Sequence, residues 1–362
     1  MNPLRVIQRS GRFIVLTVQK LLFMMAETIR NILVFCENWL LGSKKAKHGL
    51  SVARMAFGVA GIGILLSNWS TRLYSMGPGS MWNGEWAAPS SAFPEIWLFS
   101  TFRTVMPSAT LFTLMYILLL VLAILVTVGW RFKLVLPVYF VLWVSFIESQ
   151  DQLGDQGDNM YRIALLLLVF ADATQVWSLD SRRRTKNTQQ TSEPWVVRVW
   201  RGERIFEKNP AYSNLFNNLV LVALTAQVCF VYASGALYKA AGTPWQDGTA
   251  VYAPLQTIQF GTWPGLSELA TTFGWTVAIA TWGSVILQML FPMMLLTHPT
   301  RVIALVGIMA FHLGIAVLMG LPWFSLTLIA VDFIFITEKS WNKMIFGATN
   351  LWKKSLQPVQ TF

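Results

Sequence analysis

Long apolar runs alternate along this chain with connections of which every second one is basic. That pattern limits the possible folds more than any motif. A helix that crosses a bilayer needs about 20 mainly apolar residues. Eight stretches approach this: 50–68, 108–128, 134–147, 159–177, 214–240, 275–296, 301–319 and 322–337. Lys44, Lys45 and Lys47 precede the first, and Arg131 and Lys133 separate the second from the third. The linker 181–210 carries Arg182, Arg183, Arg184, Lys186, Arg198, Arg201, Arg204 and Lys208. Arg301 follows the sixth run, and Lys339, Lys343, Lys353 and Lys354 follow the eighth. The other connections differ: 148–158 is acidic, and 69–107 and 241–273 hold little positive charge. Lys and Arg stay on the cytoplasmic side, so one orientation satisfies every loop. Both termini are expected in the cytoplasm, with loops 69–107 and 241–273 outside. The expected fold is an all-α polytopic membrane protein of about eight transmembrane helices over 49–338, lying in a cell membrane.

The two ends read differently from the spans. In 1–48, apolar residues are interspersed with Arg5, Arg9, Arg12, Lys20, Glu27 and Arg30. This is the pattern of an amphipathic helix on an anionic inner leaflet, not of a cleavable signal peptide. The tail 339–362 reads as a second cytoplasmic amphipathic segment. Charged residues make up 12 % of the chain and hydrophobic ones 54 %, against about 25 % charged in soluble proteins. Most of the residues behind the net charge of +11 lie in connections and ends, and no nucleic-acid motif accompanies them, so a nucleic-acid partner is excluded. Membrane lipids are the expected surroundings. Cys36 and Cys229 have no evident partner for a disulfide. The three histidines show no His-x-x-x-His spacing, and there is no Cys-x-x-Cys, phosphate-binding loop or dinucleotide fingerprint. No metal site is expected, and no cofactor is identified.

Charged groups inside the apolar runs are the candidate functional residues, because each costs on the order of 2.5–3.5 kcal/mol at mid-bilayer. Arg54, Asp172 and Asp332 fall at similar depth toward the cytoplasmic side and form a candidate structural cluster, Arg54 pairing with Asp172 or Asp332. Arg162 follows Asp158 by one helical turn, so those two can pair. Toward the outside lie Lys239 and His312, which this pairing leaves without a structural partner. Lys239 reads either as a snorkelling lysine at a helix end or as a functional ammonium. His312 reads either as a hydrogen-bonded interior histidine or as a ligand or base. The loop aromatics Trp82, Trp86, Trp97, Trp245, Tyr252 and Trp263 form an interfacial belt or lids over an outward-opening site. From this region, Trp82, Asp158, Tyr238 and Trp245 are the candidate substrate-binding residues, with Lys239 and His312 as catalytic candidates.

Four stretches carry a family resemblance. Asp172-Ala-Thr-Gln-Val-Trp177-Ser178-Leu-Asp180 closes the fourth run. Ser234-Gly235, Lys239 and Trp245-Gln-Asp-Gly248 follow in the fifth, and Phe311-His312, Phe324-Ser325 and Ala330 in the last two. Gly77-Pro78-Gly79-Ser80 with Trp82 lies in the first outer loop. Together, over about 50–340, they resemble the HTTM family, membrane relatives of vitamin K-dependent γ-glutamyl carboxylase. The resemblance implies a site on the outer or lumenal side, with Lys239 matching the lysine that deprotonates vitamin K hydroquinone in the carboxylases. A buried lysine can act as a base. The carboxylases have Asn-His at the head of the fourth span where this chain has Gln156-Gly157. Only the short tail 339–362 stands where animal carboxylases carry a lumenal domain.

The reading adopted is therefore an outward-facing cavity that assists maturation or export of a secreted peptide beside a small membrane partner. That role belongs to the sporulation-delaying protein B-like branch of the family, and the chain is not expected to be an enzyme. Two alternatives stay open: a membrane enzyme acting on a quinone, lipid or peptide with Lys239 as base, and a plain membrane scaffold.

Overall fold

The computed structural model describes residues 3–80, 91–186, 210–260 and 262–355, and among these the regular structure is helical throughout. Among the described residues five helices are long and apolar enough to cross a membrane. They are α2 (Lys47–Ser67), α3 (Ala109–Val128), α6 (Pro210–Ala240), α7 (Gly274–Met294) and α8 (His298–Leu318). Shorter helices accompany them: α4 (Phe132–Glu148), α5 (Gln156–Phe170) and α9 (Pro322–Asp332). The ends are α1 (Pro3–Leu41) and α10 (Glu338–Ser355).

By compactness the chain forms two units, 1–45 with 206–219, and 46–205 with 220–362. In the first, α1 shows apolar side chains over much of its surface, Phe23 and Phe35 among the most exposed. The carbonyls at a helix end need partners from elsewhere, and the turn after α1 obtains them from three asparagines near the start of α6. Asn218 Nδ2 donates to Trp39 O, Leu40 O and Ser43 O at 3.0, 3.0 and 2.9 Å, and its Oδ1 accepts the Lys45 N–H at 3.0 Å. Asn214 donates to Leu41 O at 2.7 Å and Asn217 to Lys45 O at 3.2 Å.

In the second unit α2 lies at the centre, packed on α3, α9 and the 3-10 turn Phe333–Phe335. α9 also contacts α8 and α5, α4 lies between α3 and α5, and α7 packs on α8. α2 can be central because its surface is small: Ala53, Ala60 and Gly61 let neighbouring backbones approach. At Gly61 a Cβ would meet the Tyr161 hydroxyl at 2.5 Å. Tyr161 donates there to Phe57 O at 2.6 Å and is hydrogen-bonded to the Tyr139 hydroxyl at 2.8 Å. The outward faces of α7 and α8 are apolar, with Ile279, Ile286, Ile303, Val306 and Leu313 all exposed. In hydrocarbon such faces are the expected lipid contacts.

Two apolar runs end earlier than their hydropathy suggests. The fourth, read as 159–177, is helical only to Phe170, and the chain then turns irregularly through 171–178. The eighth is helical to Asp332 and closes in the 3-10 turn. Carbonyls freed after α5 are taken up by cations. Lys133 Nζ donates to Val169 O at 2.8 Å and to Ala171 O, and Arg184 donates to Thr174 O.

The same break corrects the expected pairing of Arg54. Its fully buried guanidinium donates to carbonyls, not to Asp172 or Asp332. Nε bonds Ala173 O at 3.0 Å, Nη1 bonds Val126 O at 2.7 Å and also Thr127 O, and Nη2 bonds Trp177 O at 2.7 Å. A fork of five donors thus ties α2 to the end of α3 and the turn after α5. Asp172 is buried in that turn, and Asp332 accepts from a tyrosine elsewhere. Gly129 ends α3 at φ 65°, where a Cβ would lie 2.6 Å from Ser178 Cβ and 2.9 Å from Arg54 Nη1. Both the backbone and the space favour glycine there.

Candidate functional site

Polar groups gather in two places in the second unit. The first is a half-open cleft of about 380 Å³, where the C-termini of α2 and α4 meet the N-termini of α5 and α9. Asn68, Gln150, Asp155 and Asp158 supply polar lining, and Phe146, Trp323 and Phe324 supply rings.

Local structure fixes Asp158 firmly. Asp155 Oδ1 accepts the Asp158 N–H and Asp158 Oδ2 accepts the Asp155 N–H, both at 3.1 Å, forming a capping box. Asp158 lies in the first turn, ahead of the apolar stretch of α5. Burial, with the Asp155 carboxylate beside it, pushes its carboxyl up to about 6. The pairing of Asp158 with Arg162 is not formed: Arg162 forms an ion pair with Glu148 and donates to Asn159 Oδ1 at 3.1 Å. Glu148 also accepts from Ser91 Oγ, and Asp151 accepts the Ser91 N–H at 2.9 Å, which fastens the preceding loop to the end of α4.

Gly157, where the carboxylases have histidine, has no room for a side chain. A Cβ would lie 2.8 Å from Asp155 Oδ1, 2.9 Å from Phe324 Cδ2 and 3.5 Å from Phe324 Cα. The missing side chain is what lets α5 approach α9 at Phe324.

The second group lies between α6, α7, α8 and α9. Lys239 Nζ donates to Gln288 Oε1 at 2.8 Å and sits 5.0 Å from the Trp245 ring centre and 5.1 Å from that of Phe311. Lys239 therefore has partners, contrary to the sequence reading: an amide and two ring faces. Two turns earlier on α6, and so on the same side, Tyr232 donates to Asp332 Oδ2 at 2.9 Å and lies 3.4 Å from His312 Nε2. His312 likewise has a partner. Tyr232, His312 and Asp332 are all buried, and Phe311 and Phe324 pack against the imidazole.

The structure thus brings Lys239, Trp245 and His312 into one neighbourhood and places Asp158 in the separate cleft. Phe324 touches both, lining the cleft and facing His312. Tyr238 is 85 % exposed and joins neither group, because its position on α6 turns it away from Lys239. Trp82 lies outside the described residues. Gln288, Tyr232, Trp323 and Phe324 join the candidate sites, although the sequence did not single them out for it. For Tyr232 a signal existed in its spacing of seven from Lys239, whereas Gln288 and the cleft rings look like ordinary span residues. Among the described residues no three His, Cys, Asp or Glu side chains form a group able to hold a metal ion.

The chain is thus a helical membrane bundle with a polar cleft at one end and, beside it, a buried His312–Asp332 pair near the half-buried Lys239. Residues 44–206 match the HTTM domain. No curated protein and no solved structure shows a significant match.

Proposed function

We propose that this protein handles a secreted peptide at the outer face of the cell membrane, assisting its maturation or export beside a small membrane partner. The observation that carries the reading is the cleft, which offers amide groups, carboxylates and aromatic faces to an extended chain. Gly157 adds to it: the position of the carboxylase histidine is filled by helix packing against Phe324. In this reading both termini are cytoplasmic and α1 and α10 lie on the inner leaflet.

A second reading has its own observation. Lys239 is held by Gln288 and enclosed by Trp245 and Phe311, an arrangement that suits a base acting on a quinone, lipid or peptide. Complementation of a deletion strain separates the two, with membrane levels of each variant matched. If peptide handling in the cleft is the function, Asp158→Lys fails and Lys239→Met complements. If Lys239 is a base, Lys239→Met fails and so does Lys239→Arg, because guanidinium keeps its proton. Full complementation by Lys239→Met retires the enzyme reading. Complementation by all three variants retires both readings and leaves a scaffold.

A further inference from the structure

Three buried polar atoms along α8 and α9 have no hydrogen-bond partner among the described residues: His312 Nδ1, Ser325 Oγ and Asp332 Oδ1. Their residues are at most 2 % exposed, and orphaned groups of this kind are rare and call for a reason. Ser325 and Asp332 are seven residues apart, hence on one side of α9 about 10 Å apart along its axis. The Tyr232 hydroxyl sits 2.9 Å from Asp332 Oδ2 and 3.4 Å from His312 Nε2. Among the described residues no lysine or arginine pairs with Asp332, so a bare carboxylate there would be an uncompensated charge inside the bundle.

We infer that Asp332, Tyr232 and His312 form a proton relay, in which the acid holds a proton that can travel through the tyrosine hydroxyl to the imidazole. In the structure the Tyr232 O–H donates to Asp332 Oδ2; for transfer it turns to donate to His312 Nε2, the Asp332 carboxyl O–H then donates to Tyr232 Oη, and His312 carries its own proton on Nδ1. Transfer breaks the Asp332 O–H bond and forms a new O–H bond on Tyr232. The original tyrosine O–H bond breaks as N–H forms at Nε2. The result is a carboxylate, a neutral tyrosine and an imidazolium, with no proton gained or lost. The imidazolium then releases its Nδ1 proton to a water molecule entering from the cleft end. The Phe324 ring lies between the imidazole and the cleft. Return of a proton to Nδ1 and reversal of the shifts restore the acid.

The other titratable and charged groups around this chain are few. Cys229 lies on α6 one turn before Tyr232, and Lys239 two turns after it, beside the Phe311 ring. α2 contributes Arg54, already held by four carbonyls, and α5 contributes Asp158 at the cleft. The inference holds whichever reading of the cleft and Lys239 is right, since it concerns the protons and not the ligand.

The test is infrared spectroscopy of the full-length protein in lipid nanodiscs, in H2O and after transfer to D2O. A neutral carboxylic-acid carbonyl band is expected that is lost in Asp332→Asn and shifts to higher frequency in Tyr232→Phe, where its hydrogen bond is gone. Its exchange in D2O should slow severalfold in both Tyr232→Phe and His312→Leu. The relay is overturned if Asp332→Asn removes no such band, or if exchange is equally fast in both other variants. Should Asp332→Asn not accumulate, the Tyr232→Phe shift makes the same assignment, and its absence counts against the relay.

Discussion

Replacing Arg54 by alanine should be the most damaging single change in the bundle, and the reason lies in what the guanidinium touches. It donates to Ala173, Val126, Thr127 and Trp177 carbonyls from a fully buried position. Hydrogen bonds from a charged donor contribute roughly 1.5–3 kcal/mol each, which would give about 6–12 kcal/mol if they were additive. They are not: Val126 O keeps a second partner in the Gly129 N–H at 3.1 Å. Removing a buried cation also relieves its own desolvation cost. A net loss of roughly 3–5 kcal/mol is the reasonable expectation. In detergent this should appear as a melting temperature lower by about 5–10 °C, read at a fixed scan rate because membrane proteins often unfold irreversibly. Arg54→Lys should recover only part, since one ammonium cannot span all four carbonyls. Adding Asp172→Asn or Asp332→Asn should not rescue Arg54→Ala, because neither carboxylate is the partner. Wild-type melting of Arg54→Ala, or its rescue by either asparagine, would refute the carbonyl account.

Asp158→Asn keeps an oxygen for the Asp155 N–H but removes a carboxylate pushed up to about 6 from an ordinary 3.8. Its charged form is penalised in the folded state, so above about pH 6 the variant should be the more stable, by on the order of 1–3 kcal/mol. Melting from pH 8 to pH 4 should show that advantage shrink as pH falls through 6 and vanish near 4; a pH-independent difference would contradict it. Gly157→Ala should push α5 off Phe324 and cost about 1–3 kcal/mol by overpacking, and unchanged melting would show that the contact can relax. A cysteine at Gln246 should react with an impermeant maleimide on intact cells, while cysteines at Thr185 and Thr349 react only after permeabilisation; labelling at Thr185 from outside would reverse the orientation.

Most of the helices were legible in the sequence because apolar length and connection charge carry them directly. The ends of the fourth and eighth runs were not. Residues 171–178 remain apolar enough to read as helix, yet their carbonyls bond to Arg54 and Arg184, and an acceptor on the backbone leaves no trace in residue identity. For the same reason Arg54 looked as if it needed a carboxylate. Asp158 and Arg162 have ideal helical spacing, but the capping box with Asp155 and the arrival of Glu148 from α4 are events in space that spacing does not encode. Lys239 and His312 were visible as charges in apolar runs. Gln288 and Tyr232, which give them their setting, were ordinary polar residues until α7 and α6 were placed.

The asparagines at the start of α6 have a consequence for the order in which the chain can be completed. Leu41 and the side chain that bonds its carbonyl, Asn214, are 173 residues apart. While a ribosome is still producing the basic linker, the turn 39–45 has only water or headgroups to satisfy Trp39, Leu40, Ser43 and Lys45. It closes only when Asn214, Asn217 and Asn218 emerge. The segment 44–206 that matches the HTTM domain stops just short of them. A chain cut after 206 would keep that whole segment yet leave the turn after α1 unlatched, so the amphipathic arm is the last part of the early chain to be secured.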